Sequence, residues 1–226
     1  MRINKFVASR SGLSRRAADI AIERGRIAVN GQPPQPGQDI TDADHVTIDG
    51  RELGNTPEVQ TIILHKPVNY VVSREGQGSA TIYELLPPEF RRLNPVGRLD
   101  KDSSGLLLLT NDGQLAQELT HPKYQKTKVY EIELSSPLTN QQRDHISKRG
   151  VQLPDGLSRL QLMPLDNTGR SWRVTMQEGR NRQIRRTFAE LGHQVIKLHR
   201  TQFGDYTLPR TLPEGQWAST SAPSAR

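Results

Sequence analysis

The sequence contains no cysteine, which excludes disulfide bonds, thiolate nucleophiles and cysteine-ligated zinc sites. Six histidines are present. No two of them have the i, i+4 spacing that places two ligands on one helix face, and the His-Glu-x-x-His motif is absent from the sequence. The sequence therefore predicts no metal site.

Aromatic residues are scarce at 5%, and all hydrophobic residues together make up 33% of the chain. We expect an aliphatic core and a large polar surface. No hydrophobic run approaches the ~18 residues that would span a membrane. The initial Met-Arg-Ile-Asn-Lys lacks the apolar stretch of a secretion signal. These features favour a cytoplasmic protein without a membrane partner.

Positive charge is in excess, with a formal net charge of +7. Residues 1–31 carry seven basic and two acidic side chains, a balance of +5. Lysine and arginine side chains that neutralise phosphates release counterions, so this balance favours a polyanion as partner. The alternative is a basic helix surface that only keeps the protein soluble.

Two domains are expected. In residues 1–49 the apolar spacing predicts two short helices broken at Ser11-Gly12, with Ser14 capping the second. A short strand and turn within residues 25–31 should pair with a strand at residues 46–48.

The polar stretch of residues 50–60 is predicted to be a linker. A larger domain should then occupy residues 61–217. The Ser/Ala/Pro-rich residues 218–226 are predicted to form a disordered tail.

The stretch from Pro95 to Gly113 places an acidic loop directly before four leucines, Leu106–Leu109. An uninterrupted apolar run between turn signals predicts a strand buried on both faces. Asp100 in the loop has three interpretations: a solvated turn residue, a calcium ligand, or a reactive carboxylate. Calcium is disfavoured because Asn111 stands where the calcium loop requires a bidentate glutamate. The residues alone leave the other two open.

Two later segments carry candidate functional side chains. Residues 128–134 alternate as a strand, in which a tyrosine such as Tyr130 ordinarily packs its ring in the core. Residues 178–192 predict a turn and an amphipathic helix, and four arginines crowd its first turns, where the helix dipole favours anions. Either a negatively charged partner compensates these arginines or they are solvated.

These segments together resemble a known family. Gly97-Arg98-Leu99-Asp100-x-Asp102-Ser103-x-Gly105-Leu106 is similar to the central motif of the pseudouridine synthases, in the RsuA/RluB branch that modifies ribosomal RNA. Lys128-x-Tyr130 and the stretch from Glu178 to Arg186 resemble two further motifs of the family in the same order. The resemblance extends from residue 1 to about residue 217.

The resemblance implies a role for three residues. Asp100 would be the catalytic carboxylate, Tyr130 would stack on the target base, and Arg185 would form an ion pair with Asp100. It also implies an α+β fold whose catalytic domain is a mixed, mainly antiparallel sheet flanked by helices.

Residues 1–49 are similar to the alpha-L RNA-binding module of a small-subunit ribosomal protein, which implies a small α+β RNA-binding domain. Basic residues in both domains are then expected to contact RNA backbone. These are Arg2, Lys5, Arg15, Arg16, Arg26, Arg98, Lys128, Arg180, Arg182 and Arg186.

The implied activity is conversion of one uridine in ribosomal RNA to pseudouridine, on a nucleotide flipped out of its helix. This isomerisation needs no cofactor or metal, and we expect a monomer. A non-catalytic RNA-binding or ribosome-assembly factor is the alternative, with Asp100 as a turn residue. A DNA-binding regulator is disfavoured because no recognition helix or dimer seam is evident.

Overall fold

The computed structural model describes residues 1–220. The chain forms two compact units, one comprising Met1–Val59 and the other beginning at Gln60. None of the helices in residues 1–220 has both the length and the apolar character needed to cross a bilayer.

The first unit contains two helices and a small antiparallel sheet. Its elements are α1 (Ile3–Ser11), α2 (Arg15–Glu23), β1 (Ile27–Val29), β2 (Val46–Ile48) and β3 (Arg51–Glu52). The helix break occurs as predicted, because Gly12 has a φ of +77° and ends α1. Ser14 caps α2 by accepting a hydrogen bond from the Ala17 amide at 3.1 Å.

The segment predicted to be a linker is partly structured. Arg51–Glu52 pair with β2, and Leu53 packs against the core of the first unit. The linker boundary at residue 50 is therefore wrong. The polar composition of residues 50–60 suggested a linker without secondary structure. Polar residues are also common in exposed edge strands such as β3.

The second unit is built on a large sheet. Its strands are β4 (Thr61–Lys66), β5 (Asn94–Pro95), β6 (Ser104–Thr110), β7 (Lys128–Leu134), β8 (Val151–Leu153), β9 (Gly156–Ser158), β10 (Gln161–Pro164), β11 (Ser171–Met176), β12 (Val195–Phe203), β13 (Tyr206–Thr207) and β14 (Trp217–Ser219). Its α-helices are α3 (Gly113–Thr120), α4 (Asn140–Asp144) and α5 (Gln183–Ala189). Short helical turns lie at Ile82–Leu85, Pro88–Phe90, Pro122–Tyr124 and His145–Arg149.

The main sheet has the strand order β10-β11-β7-β12-β6-β4-β14, with β13 added to β12 and β5 to β6. In residues 60–220 the pairing of β12 with β6 is parallel, and the other strand pairs are antiparallel. The predicted α+β class, with a mixed and mainly antiparallel sheet flanked by helices, is confirmed.

The predicted tail begins too early. Ala218 and Ser219 lie in β14, where they pair with Ile63 and Ile62 of β4. Serine and alanine have low strand propensity, so the composition did not predict a strand here. The strand is stabilised by its pairing with β4. Residues 221–226, the rest of the predicted tail, lie outside the described residues.

Strand β6 is buried along its whole length, as the leucine run predicted. Leu107 and Leu109 belong to the larger hydrophobic cluster of the second unit, whereas Leu106 and Leu108 belong to a second cluster. Successive strand residues face opposite sides of a sheet. The sheet is therefore covered on both faces at this strand.

Gly105 permits the parallel contact between β6 and β12. It has a φ of +108°, and a Cβ atom at this position would lie 2.3 Å from the backbone oxygen of Arg200. Only glycine combines this backbone conformation with so close an approach.

We predict that Gly105→Ala lowers the free energy of unfolding by about 3 kcal/mol or more, because it adds backbone strain to a steric clash. Urea unfolding would measure this loss. Gly113→Ala is the matched control, since a Cβ at Gly113 meets no atom within 4 Å. Equal effects at the two positions would contradict the proposed close approach.

Candidate active site

A cleft of about 1180 Å³ lies on one face of the main sheet. It is lined by the acidic loop before β6, by β7, β11 and β12, and by the residues around the start of α5. Asp100, Tyr130 and Arg182 are among its lining residues. The three sequence motifs therefore contribute to one cavity.

The acidic loop is anchored through its backbone. Four successive carbonyl oxygens, those of residues 100–103, each accept a hydrogen bond. The Nζ of Lys66 donates to the oxygens of Asp100 (3.1 Å) and Ser103 (2.8 Å). The Asn69 amide donates to the residue 101 oxygen at 2.7 Å. A guanidinium from α5 donates to the residue 102 oxygen at 2.7 Å. The loop is thereby fixed through its backbone, and the side chain of Asp100 lines the cleft.

Lys66 is the last residue of β4 and has 0% solvent exposure. Its Nζ also donates to the oxygen of Pro67 at 3.0 Å, which gives the ammonium three carbonyl acceptors. Burial lowers the pKa of Lys66 to about 8, and the nearby carboxylates of Asp100 and Asp102 oppose this fall. Lys66 is thus a buried cation that binds the loop backbone.

The two aspartates of the loop have different partners. Asp100 is 32% exposed, and one carboxylate oxygen lies 3.5 Å from Arg182 Nη1. Asp102 receives two hydrogen bonds from Arg182, at 3.1 and 2.8 Å. Those bonds, with the charge of Arg185, lower the pKa of Asp102 although partial burial acts in the opposite direction. Asp102 is therefore engaged by two arginines, whereas Asp100 lines the cleft and has one longer contact with an arginine.

The predicted ion pair between Arg185 and Asp100 is wrong. Arg185 Nε lies 3.3 Å from the Asp102 carboxylate, and Arg185 Nη2 donates to the Asp102 backbone oxygen at 2.7 Å. Its Nη1 donates to the Val195 oxygen at 2.6 Å. Arg185 thus holds the loop through the backbone oxygen and the carboxylate of Asp102. Arg182 is the arginine that contacts Asp100.

The other arginines of the α5 segment have acidic partners inside the protein. Arg186 forms two hydrogen bonds with Asp155, at 3.0 and 2.7 Å. Arg180 contacts Asp155 and Glu178, each at 3.1 Å. Asp102 and Asp155 therefore provide negative charge at the start of the helix, a third arrangement beside the external partner and the solvated arginines considered from the sequence. The sequence does not indicate it because both aspartates are distant from the helix along the chain.

Tyr130 lies on β7 and is 8% exposed. It pairs with Val174 of β11 and Arg200 of β12 in the sheet. Its ring belongs to the main hydrophobic cluster and also lines the cleft. This position is compatible with a role in core packing and with a role in the cleft, because the same side chain belongs to the core and lines the cleft.

Sequence reasoning missed Arg200. This side chain is 2% exposed and lines the cleft, where its Nε donates to the Leu106 oxygen at 2.8 Å. Its Nη2 is buried without a hydrogen-bond partner in the described chain. Arg200 and Lys128 both lie over the ring of Phe203, at 4.9 and 5.1 Å.

Lys128 is thus close to a second cation. Burial and the charge of Arg200 lower the pKa of Lys128. Together with exposed Arg98, these side chains make one wall of the cleft positively charged. A phosphate group would complement this wall.

In the first unit, Arg2, Lys5, Arg15, Arg16 and Arg26 are all exposed. Arg26 is engaged by Asp49, with Nε 2.9 Å from Oδ1, and Arg2 donates to the Gly37 oxygen. The other three are exposed side chains of α1 and α2.

Comparison with known proteins identifies relatives along the whole chain. A family model described as RNA pseudouridylate synthase matches residues 60–190. The chain is 33% identical over 228 residues to the ribosomal small subunit pseudouridine synthase A of Pasteurella multocida, covering 98% of this chain and 97% of that protein. It is 36% identical over 240 residues to the ribosomal large subunit pseudouridine synthase B of Xylella fastidiosa, covering 100% of this chain but 49% of that protein. The chain thus spans about half the length of the Xylella relative.

A solved structure has the same fold. The crystal structure of a pseudouridylate synthase matches with a TM-score of 0.71 and 31% sequence identity, covering 98% of this chain and 96% of that one. The predicted pseudouridine synthase fold is confirmed.

Lys66 should give the protein a pH-dependent stability. Its pKa is about 8 in the folded chain against an ordinary value of 10.5, so between these values the unfolded state binds more protons. The free energy of unfolding should therefore rise with pH over this range, by up to about 1.4 kcal/mol per pH unit from this residue.

Urea unfolding of the wild type and Lys66→Met from about pH 7 to about pH 10 measures this slope. In Lys66→Met, the free energy of unfolding should rise less steeply with pH, because the contribution of Lys66 is absent. Lys148→Met is the control, because the Lys148 side chain is 73% exposed. The same slope in the wild type and Lys66→Met would contradict the assignment.

Proposed function

Since this chain belongs to the RNA pseudouridylate synthase family, we propose that it converts a specific uridine of ribosomal RNA to pseudouridine, with Asp100 as the catalytic carboxylate. The observation that carries this proposal is the anchored loop. It presents the partly exposed Asp100 carboxylate to a cleft that also contains a flat aromatic ring and unpaired positive charge. An RNA-binding factor without activity would not require this combination.

The reaction is an isomerisation in which all atoms are retained. The bond between uracil N1 and the ribose C1′ breaks, the base turns, and C5 bonds to the same C1′. N1 gains a proton and C5 loses one, so the reaction needs no oxidant or reductant. Asp100 acts on the sugar, either as a nucleophile at C1′ or as a base that removes a proton from C2′.

The remaining side chains of the cleft have supporting functions. Tyr130 stacks on the uracil once the nucleotide has left its helix. Arg182 Nη1 lies 3.5 Å from the Asp100 carboxylate and orients it. Arg185 is a positioning residue, because it acts on the loop through Asp102.

RNA is held by phosphate contacts from both units. Arg98, Lys128 and Arg200 supply positive charge at the cleft, and buried Arg200 Nη2 offers a donor that lacks a partner in the described chain. The first unit, Met1–Val59, acts as an alpha-L type RNA-binding domain through the exposed basic side chains of α1 and α2. Such contacts give affinity and position without sequence readout.

Arg180, Arg182 and Arg186 contribute less to RNA binding than their number suggests, since carboxylates of the protein already neutralise them. Relatives named for the small and for the large ribosomal subunit match at similar identity, so the proposal includes RNA of either subunit. We further propose a cytoplasmic monomer that requires no cofactor. Mapping pseudouridines in ribosomal RNA from cells with and without the gene would identify the target.

We predict that Asp100→Asn lowers pseudouridine formation by at least about three orders of magnitude and leaves RNA affinity within a few fold. The amide keeps the shape of the side chain and removes its charge and basicity. Single-turnover tritium release from RNA labelled at uridine C5 measures the reaction, and filter binding measures affinity.

Asp112→Asn is the matched control, because Asp112 caps α3 and does not line the cleft. It should retain activity. Substantial turnover by Asp100→Asn would reject Asp100 as the catalytic carboxylate and favour the non-catalytic alternative.

Tyr130 should contribute mainly through its ring. We predict that Tyr130→Phe retains more activity than Tyr130→Leu, which fills similar space without a flat ring, and that Tyr130→Ala is least active. Single-turnover rates would establish this order, with urea unfolding as a check because Tyr130→Ala leaves a cavity that costs about 3 kcal/mol or more. Equal losses in the Phe and Leu variants would argue against stacking.

A further inference from the structure

On the sheet face opposite the cleft, two histidines and a glutamate converge. One nitrogen of His65, one nitrogen of His199 and one carboxylate oxygen of Glu214 all lie within 4.8 Å of one another. We propose that these three residues form a binding site for a divalent transition metal ion of the zinc type. This site is independent of the proposed reaction.

The strand geometry separates this site from the cleft. Leu198 and Arg200 line the cleft, and His199 lies between them on β12. Because successive side chains on a strand face opposite sides, His199 points to the other face. His65 lies on β4, and its ring centroid is 5.3 Å from that of His199.

The hydrogen bonding of His65 leaves its Nε2 available to a metal ion. Nδ1 lies 2.7 Å from the Leu212 backbone oxygen. A carbonyl oxygen can only accept, so Nδ1 carries the proton and Nε2 keeps the lone pair of the neutral ring. Nε2 is buried without a hydrogen-bond partner in the described chain. A backbone carbonyl in this position is a common outer partner of a metal-binding histidine.

His199 has a similar outer partner. Its Nδ1 lies 2.9 Å from Ser104 Oγ, which fixes the ring and leaves Nε2 free of that contact.

Glu214 supplies the third ligand and the negative charge. Its carboxylate is 57% exposed and lies 3.8 Å from His65 Nε2, which is too long for a hydrogen bond. The backbone next to Glu214 is fixed to β4, since the Gly215 amide donates to the His65 oxygen at 2.8 Å. The side chain can therefore move toward an ion while its backbone stays in place.

Two imidazoles and one carboxylate are a known ligand set for zinc, with water completing the tetrahedron. Metal–ligand bonds of about 2.0–2.2 Å place neighbouring ligand atoms roughly 3.4 Å apart. The ligand atoms must therefore approach each other by up to roughly 1.4 Å. This requires movement of the exposed Glu214 side chain and small rotations of the two imidazole rings. No cysteine thiolate of the chain competes with these ligands for the zinc ion, because the sequence has no cysteine.

The bound ion would connect three parts of the second unit. His65 precedes Lys66 on β4, His199 precedes Arg200 on β12, and Glu214 lies in the connection to β14. The ion would fasten β4 and β12, which flank β6, from the face opposite the cleft. Its expected effect is on stability, without a part in the chemical step.

The test is zinc binding to the full chain after chelator treatment, measured by calorimetry in the absence of RNA. We expect one zinc ion per chain and a melting temperature that rises with zinc concentration. His199→Gln should weaken binding by at least about tenfold, and Glu214→Gln should also weaken it. Cobalt should give the visible absorption of a tetrahedral site in the wild type and not in His199→Gln.

His145→Gln is the matched control, because His145 is an exposed histidine outside this site. It should bind zinc as the wild type does. Absence of stoichiometric zinc binding would show that the three side chains do not form a metal site. Binding unchanged in both His199→Gln and Glu214→Gln would place the metal elsewhere. Either result would contradict the proposed metal site. Neither measurement depends on whether the protein forms pseudouridine.

Discussion

The structure of the active site depends on the buried ammonium of Lys66. A cation in the protein interior is unfavourable by several kcal/mol unless oxygen atoms surround it. Here three backbone carbonyls do so, and two of them belong to the loop of Asp100. Any other loop conformation would withdraw those oxygens and leave the charge unsatisfied. The energetic penalty of burial therefore restricts the loop to one conformation and fixes the direction of its carboxylates.

The arginines divide into two groups that sequence alone does not distinguish. Arg182, Arg185 and Arg186 are joined to acidic side chains of the protein and belong to its framework. Arg98 and Arg200 line the cleft without such a carboxylate partner in residues 1–220. The charge available to a ligand is consequently smaller, and more localised, than the net charge of the chain suggests.

Local patterns predicted local structure well. The glycine break after α1, the cap at Ser14 and the buried leucine strand all depend on residues close in sequence. Long-range partners were beyond such patterns. Arg185 meets Asp102 and not Asp100, and nothing in the spacing of the motifs distinguishes these acids. Nor does the local pattern of residues show where strand β12 ends. The pairing of β12 with β6 and β7 extends it to Phe203.

The central position of β6 has a consequence for how the protein is made. Its neighbours β12 and β4 lie on opposite sides of it in the sheet, and β12 follows it by almost one hundred residues. Contacts of such high contact order form late, because a long loop must close first. A nascent polypeptide that has not yet reached Phe203 therefore exposes one edge of a ribbon rich in leucine. Chaperone protection during translation would suit this chain, since unpaired apolar strands of this kind promote aggregation.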